Sequence, residues 1–150
     1  MEKYIVNNNT VALLKIDKKT IIFNVDNFFV FNRNIKYILD KNCNYYGSNL
    51  IGRINSSKEM LNESYKIPIL IDEVNNLILI QLTSPRNKVC LYIVVNKIIN
   101  YKEINDFLEI ICVNGIIFKV KLSKNIFEKM LLKSFKLNNV LFWRKCVKFL

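Results

Sequence analysis

Apolar residues in the first third of the chain fall in short β-branched runs. Residues 5–6, 11–16 and 21–25 are such runs, separated by Asn7-Asn8-Asn9 and Asp17-Lys18-Lys19, and they predict strands joined by polar turns. Phe28-Phe29-Val30-Phe31 fits either a fourth strand or the entry to a helix. The period then changes. Ile35, Ile38 and Leu39 recur at helical spacing and predict a helix over residues 34–46. Gly47 follows, the residue type that best ends a helix in a left-handed turn. Ser56-Ser57-Lys58-Glu59 has the Ser-x-x-Glu spacing of a capping box, which predicts a short second helix from there. Residues 47–55 are left as a polar loop between two helices.

Strands return at residues 68–71, 77–82 and 89–95, with residues 72–76 as a turn. Residues 109–113 and 116–122 flank Asn114-Gly115, the strongest hairpin signal in the chain, because both positions of a type I′ turn need positive φ. Ser123 then predicts a helix N-cap. Ile126, Phe127, Met130, Leu131 and Phe135 form an apolar stripe, with Lys129, Lys133 and Lys136 on other faces. Residues 140–150 mix Phe142, Trp143 and Phe149 with Arg144, Lys145 and Lys148 and predict a second amphipathic helix. The expected class is α+β: mostly antiparallel sheet, two short helices after the first strands, and a helical C-terminal segment.

At 150 residues the chain fits one domain, residues 1–150, and 51 % apolar residues can supply its core. The chain has no histidine, so no imidazole base, Ser–His or Cys–His pair, or His–Cys zinc site can form. Cys43, Cys90, Cys112 and Cys146 stand far apart in sequence. No secretory signal opens the chain, and its longest apolar run, residues 89–95, is far short of the roughly 20 residues that span a bilayer. The expectation is a soluble intracellular protein with reduced thiols, neither enzyme nor metalloprotein.

Charge narrows the picture further. The net charge is +11, and residues 119–150 hold nine basic residues against one acid. Such asymmetry suggests a polyanion partner, nucleic acid or an anionic membrane face. Codon bias offers a second account, because 22 Asn, 22 Ile and 19 Lys are what an A/T-rich genome produces.

Residues 43–53 read Cys-Asn-Tyr-Tyr-Gly-Ser-Asn-Leu-Ile-Gly-Arg. Two glycines bracket a polar turn and an arginine closes it. Free N–H groups there can receive a phosphate, and arginine suits both phosphate and a narrow minor groove. A helix-ending glycine and a surface arginine account for the same letters without a ligand.

This stretch resembles the signature of the ComK family of competence transcription factors: a cysteine, an aromatic pair, Gly-Ser, then Gly-Arg. Further segments agree in order: Tyr4-Ile5-Val6-Asn7 with Thr10 and Ala12, then Lys66-Ile67-Pro68-Ile69, then Asn114-Gly115 with Ser123 and Phe127. The resemblance covers about residues 4–135. Three positions depart from the pattern. Ile80-Gln81-Leu82 stands where the family has Phe-Pro-Thr, Tyr92 where it has tryptophan, and Asn42 where it has serine or similar. The chain also stops earlier than the better-known members.

The resemblance implies a bacterial, cytoplasmic and nucleoid-associated activator of DNA-uptake genes. Such a protein binds paired A/T-rich boxes through the minor groove as a homo-oligomer built from dimers. A proteolysis adaptor and RNA polymerase are its implied protein partners, with no cofactor and no membrane. The candidate DNA-binding residues are Ser48, Asn49, Gly52 and Arg53 in the signature, and Lys58 in the second helix. Arg86, Asn87 and Lys88 after Thr83-Ser84-Pro85 join them, with Lys133 as a phosphate contact on the late helix. The alternative is a degenerate relative whose tail aromatics serve a protein or anionic membrane surface without specific DNA binding.

Overall fold

A computed structural model describes residues 3–84 and 86–147. Its strands are β1 (Thr10–Ile16), β2 (Lys19–Asn24), β3 (Phe28–Phe31), β4 (Ile69–Asp72), β5 (Leu77–Gln81), β6 (Val89–Val94), β7 (Ile98–Ile104), β8 (Phe107–Cys112) and β9 (Ile117–Val120). The helices are α1 (Ile35–Tyr45), α2 (Leu50–Leu61) and α3 (Lys124–Val147). The class is α+β.

Six strands form one antiparallel sheet in the order β3-β2-β1-β6-β5-β4, and β7-β8-β9 form a small antiparallel meander. The large sheet is covered on both faces. Leu13, Ile22, Leu79, Tyr92 and Val94 pack on one side with Ile35, Ile38 and Leu39 of α1. Ala12, Ile80, Leu91 and Ile93 pack on the other with Leu108 and Ile110 of the meander and Phe127 and Met130 of α3. Two-sided burial explains why β4, β5 and β6 read as continuous apolar runs. Alternation survives only where one face meets water. None of the helices among the described residues is long and apolar enough to cross a membrane.

Several elements differ from the sequence reading. The Phe28 run is a strand. Residues 5–6 join no ladder. Their neighbourhood is held by α1, where the buried Asn42 accepts from Val6 N–H at 2.6 Å and donates to the carbonyls of Tyr4 and Ile38. Helix α2 begins at Leu50, because Asn49 caps it by accepting from Gly52 N–H at 2.6 Å. The Ser56–Glu59 box therefore lies inside a helix already under way, with Leu50, Ile54, Ser57 and Leu61 on its inward side. Strand β7 was not expected from the sequence; its apolar residues Ile98, Ile99, Tyr101 and Ile104 do not alternate regularly with polar ones, and most of the strand is solvated.

The late helix is a single 24-residue element. Ser123 caps it as expected, accepting from Ile126 N–H. The separate tail helix does not exist, and Lys148 and Phe149 lie outside the described residues. The Asn114-Gly115 hairpin is present, with positive φ at both residues.

Candidate nucleic-acid interface

The signature motif is the junction between α1 and α2. Gly47, at φ +89°, follows the end of α1 in a left-handed turn. Ser48 N–H donates to Cys43 O at 2.8 Å and Gly47 N–H to Asn44 O at 3.0 Å, the paired bonds of a Schellman motif. Asp40 accepts from Leu50 N–H, and Asn49 from Gly52 N–H, so both partners serve the first turn of α2. A Cβ on Gly52 would sit 3.0 Å from Asn49 Oδ1, which accounts for the second glycine by close approach. Arg53 folds back, and one of its terminal nitrogens donates to Tyr46 O at 3.2 Å while its Nε is buried without a hydrogen-bond partner among the described residues. A guanidinium at a helix C-terminus satisfies an orphan carbonyl and suits the helix dipole. Ser48 is half-buried, Asn49 is exposed, and Gly52 and Arg53 belong to the helix rather than to a loop.

A second group assembles from distant segments. The register pairs Ile16 of β1 with Val89 of β6 and with Lys19 of β2. That alignment puts the β1–β2 turn beside the loop from β5 to β6, at one end of the large sheet. Lys15, Lys18, Lys19, Arg86 and Lys88 line an open cleft of about 640 Å³ there, with Asp17 the one acid in its lining among the described residues. The loops are tied by backbone: Asp17 N–H donates to Lys88 O, and Lys15 Nζ to Asn87 O, each at 3.0 Å. Arg33 sits at the same end, since Thr20 hydroxyl donates to its carbonyl at 2.8 Å. Arg86, Asn87 and Lys88 were read from the sequence. Lys15, Lys18 and Lys19 were missed, because the β1–β6 pairing that sets them beside residues 86–88 spans about 75 residues and leaves no local signal. Arg33 arrives through the β2–β3 pairing, and its guanidinium lies 5.1 Å from the Tyr37 ring centre rather than in the cleft.

Lys58 lines a separate cleft between α1, α2 and the ends of β4 and β5. Two departures from the family pattern meet in its wall. Gln81 and Tyr92 are cross-strand partners, and the Tyr92 hydroxyl donates to Gln81 Oε1 at 3.0 Å. Burial raises the Tyr92 hydroxyl pKa, which keeps it a donor.

Part of the C-terminal charge is tied up within the molecule. Lys133 is held by Glu63 at 3.1 Å and by the Tyr65 carbonyl. Lys136 reaches the Leu61 carbonyl, and Lys145 pairs with Glu73. These lysines fasten α3 to the end of α2 and to the loops beside β4, so the structure does not bring Lys133 to the basic end. Burial pushes the Cys43 and Cys112 thiols up to about 11, leaving them neutral and inert.

Comparison with known proteins adds two findings. The model of the family described as "ComK protein" matches residues 1–144. The chain is 30% identical over 139 residues to the "Competence transcription factor" of Bacillus subtilis (strain 168), covering 89% of this chain and 72% of that protein. No solved structure matches.

Proposed function

This chain belongs to the ComK family, and from that premise we propose that it is a competence transcription factor that binds double-stranded DNA. The observation that carries the reading is the convergence of Lys15, Lys18, Lys19, Arg86 and Lys88 at one end of the sheet. Lysines there neutralise phosphates and release counterions. Arg86, exposed on the loop, is the side chain this reading inserts into a narrow A/T-rich minor groove. Asn87 and Lys88 flank it. Ser48 and Asn49 offer a second contact at the exposed start of α2. Arg53 is assigned to shaping the α1–α2 turn. A homo-oligomer built from dimers would set copies on half-sites spaced by helical turns.

The test is fluorescence anisotropy on two duplexes of equal length, one A/T-rich and one G/C-rich, across a salt series. The A/T duplex should bind tighter, and the preference should persist as salt rises. Arg86→Ala should cost about 1–3 kcal/mol and reduce the preference, while Lys88→Ala should lower the salt slope by about one. Equal binding that vanishes with salt would overturn groove reading.

One observation favours a second reading, a protein or anionic membrane contact: Phe142 and Trp143 on α3 are 62 % and 61 % exposed beside Arg144. Co-sedimentation with anionic vesicles, lost in Phe142→Ser/Trp143→Ser, together with no duplex binding, would select it.

A further inference from the structure

The cleft behind the basic end has a use the DNA reading leaves open. It holds about 490 Å³ between α1, α2 and the ends of β4 and β5, within the roughly 300–1,000 Å³ of small-molecule sites. Its lining carries, among the described residues, three cations, Lys36, Lys58 and Lys66, and no carboxylate. Among the described residues, neither the Lys36 nor the Lys58 ammonium has an ion-pair or hydrogen-bond partner. Lys66 is held at φ +50°, a backbone state lysine seldom adopts, with its ammonium 5.6 Å from the Tyr65 ring centre. Ser64 and Ser84 add hydroxyls to the lining, while the Thr83 hydroxyl is taken up by donating to the Val89 carbonyl.

Beside the paired Gln81 and Tyr92, the lining has an apolar part. Leu39, Leu50, Ile54 and Met130 contribute to it. Tyr65 also lines the cleft and is 70 % exposed, with the Lys66 ammonium over its ring, so a base would stack on the face that Lys66 does not cover. A phosphate on a duplex would answer the lysines but leave this surface in water, because the sugar–phosphate backbone has no flat apolar body to insert. A small inorganic anion has the same shortfall. A ligand with a phosphate head and an aromatic body answers both halves. Lysine binds phosphate as a point charge from several directions, and aromatic rings stack on bases.

We propose that this cleft binds a nucleoside phosphate, with Lys36, Lys58 and Lys66 on the phosphate and Tyr65 with the apolar wall on the base. The site goes beyond the DNA-binding reading and does not depend on it. Calorimetric titration of the full chain with AMP, adenosine and inorganic phosphate at fixed ionic strength tests it. AMP should bind at least about tenfold tighter than either fragment, since only AMP engages both halves. The double variant Lys36→Gln/Lys58→Gln should lose AMP binding by about tenfold or more. Tyr65→Ala should weaken AMP several-fold and leave inorganic phosphate unchanged. All three side chains are at the surface or partly so, so unchanged unfolding midpoints should accompany these losses.

Equal binding of AMP and inorganic phosphate would reduce the cleft to a general anion trap and overturn the proposal. No AMP binding would overturn it as well. If the lysine variant instead lost duplex binding without any AMP binding by the parent chain, the cleft would belong to the DNA face. Failure of the DNA reading shows separately, as Arg86→Ala leaving the anisotropy titration unchanged.

Discussion

Asn42 shows how one side chain can stand in for a strand. It is fully buried, and its amide joins the backbone of Tyr4, Val6 and Ile38. Asn42→Leu keeps the branched shape but leaves a buried N–H and a carbonyl unpaired, at about 1–3 kcal/mol each. Urea denaturation should show a loss of at least about 2 kcal/mol. Gln81 and Tyr92 make a second such unit, joined across the β5–β6 pairing by the Tyr92 hydroxyl. A double-mutant cycle with Gln81→Leu and Tyr92→Phe should return a coupling of about 0.5–1.5 kcal/mol. The thiols of Cys43 and Cys112 rise from the usual 9 to about 11 on burial. The folded state therefore holds these protons more tightly than the unfolded chain. Their stabilisation is complete below pH 9 and is lost as pH rises through about 11. The urea midpoint should fall across that window, and less so in Cys112→Ala. Cys146 is the one cysteine that is not buried; iodoacetamide should label it in the native protein and reach the other three only on unfolding.

At the scale of elements, the α1–α2 junction was legible as a turn but misplaced by several residues. Gly47 announced the end of α1 correctly. Two capping signals then competed, Asn49 and Ser56, and the tertiary fold decided between them. Starting at Asn49 buries Leu50 and Ile54 against α1 and the sheet, whereas a start at Ser56 would leave both in a loop. Asn49→Ala should cost about 1 kcal/mol and lower the unfolding temperature by roughly 2–4 °C. Helix α3 makes the same point through charge. Lys133 looked like a phosphate contact from its place off the apolar stripe, yet its side chain is 18 % exposed and occupied by Glu63. Lys133→Ala should therefore lower the unfolding temperature by a few degrees and leave the salt slope of duplex binding as it was.

The molecule as a whole separates net charge from usable charge. Most of the sequence excess lies after residue 118, but Lys119, Lys133 and Lys145 pair with acids and Lys136 with a carbonyl. The cations gathered at one place come from residues 15–19 and 86–88, both ahead of that segment, brought together by β1 lying between β2 and β6. Reversing two of them, Lys18→Glu with Lys88→Glu, should depress duplex affinity more than the same reversals at Lys121 and Lys129 on the C-terminal segment. Anisotropy at one salt concentration reads the difference, and equal losses would mean that only the total charge counts.

By itself the sequence determined the class, most strands, the Asn114-Gly115 turn, the Ser123 cap and the family. These follow from local rules: side-chain period, the φ a turn demands, and short motifs. Tertiary structure decided where α2 starts, that the tail continues α3, which lysines are spent on internal ties, and which cations share a surface. Those outcomes depend on contacts between segments far apart in the chain, where the free energy of burial and pairing outweighs any local preference.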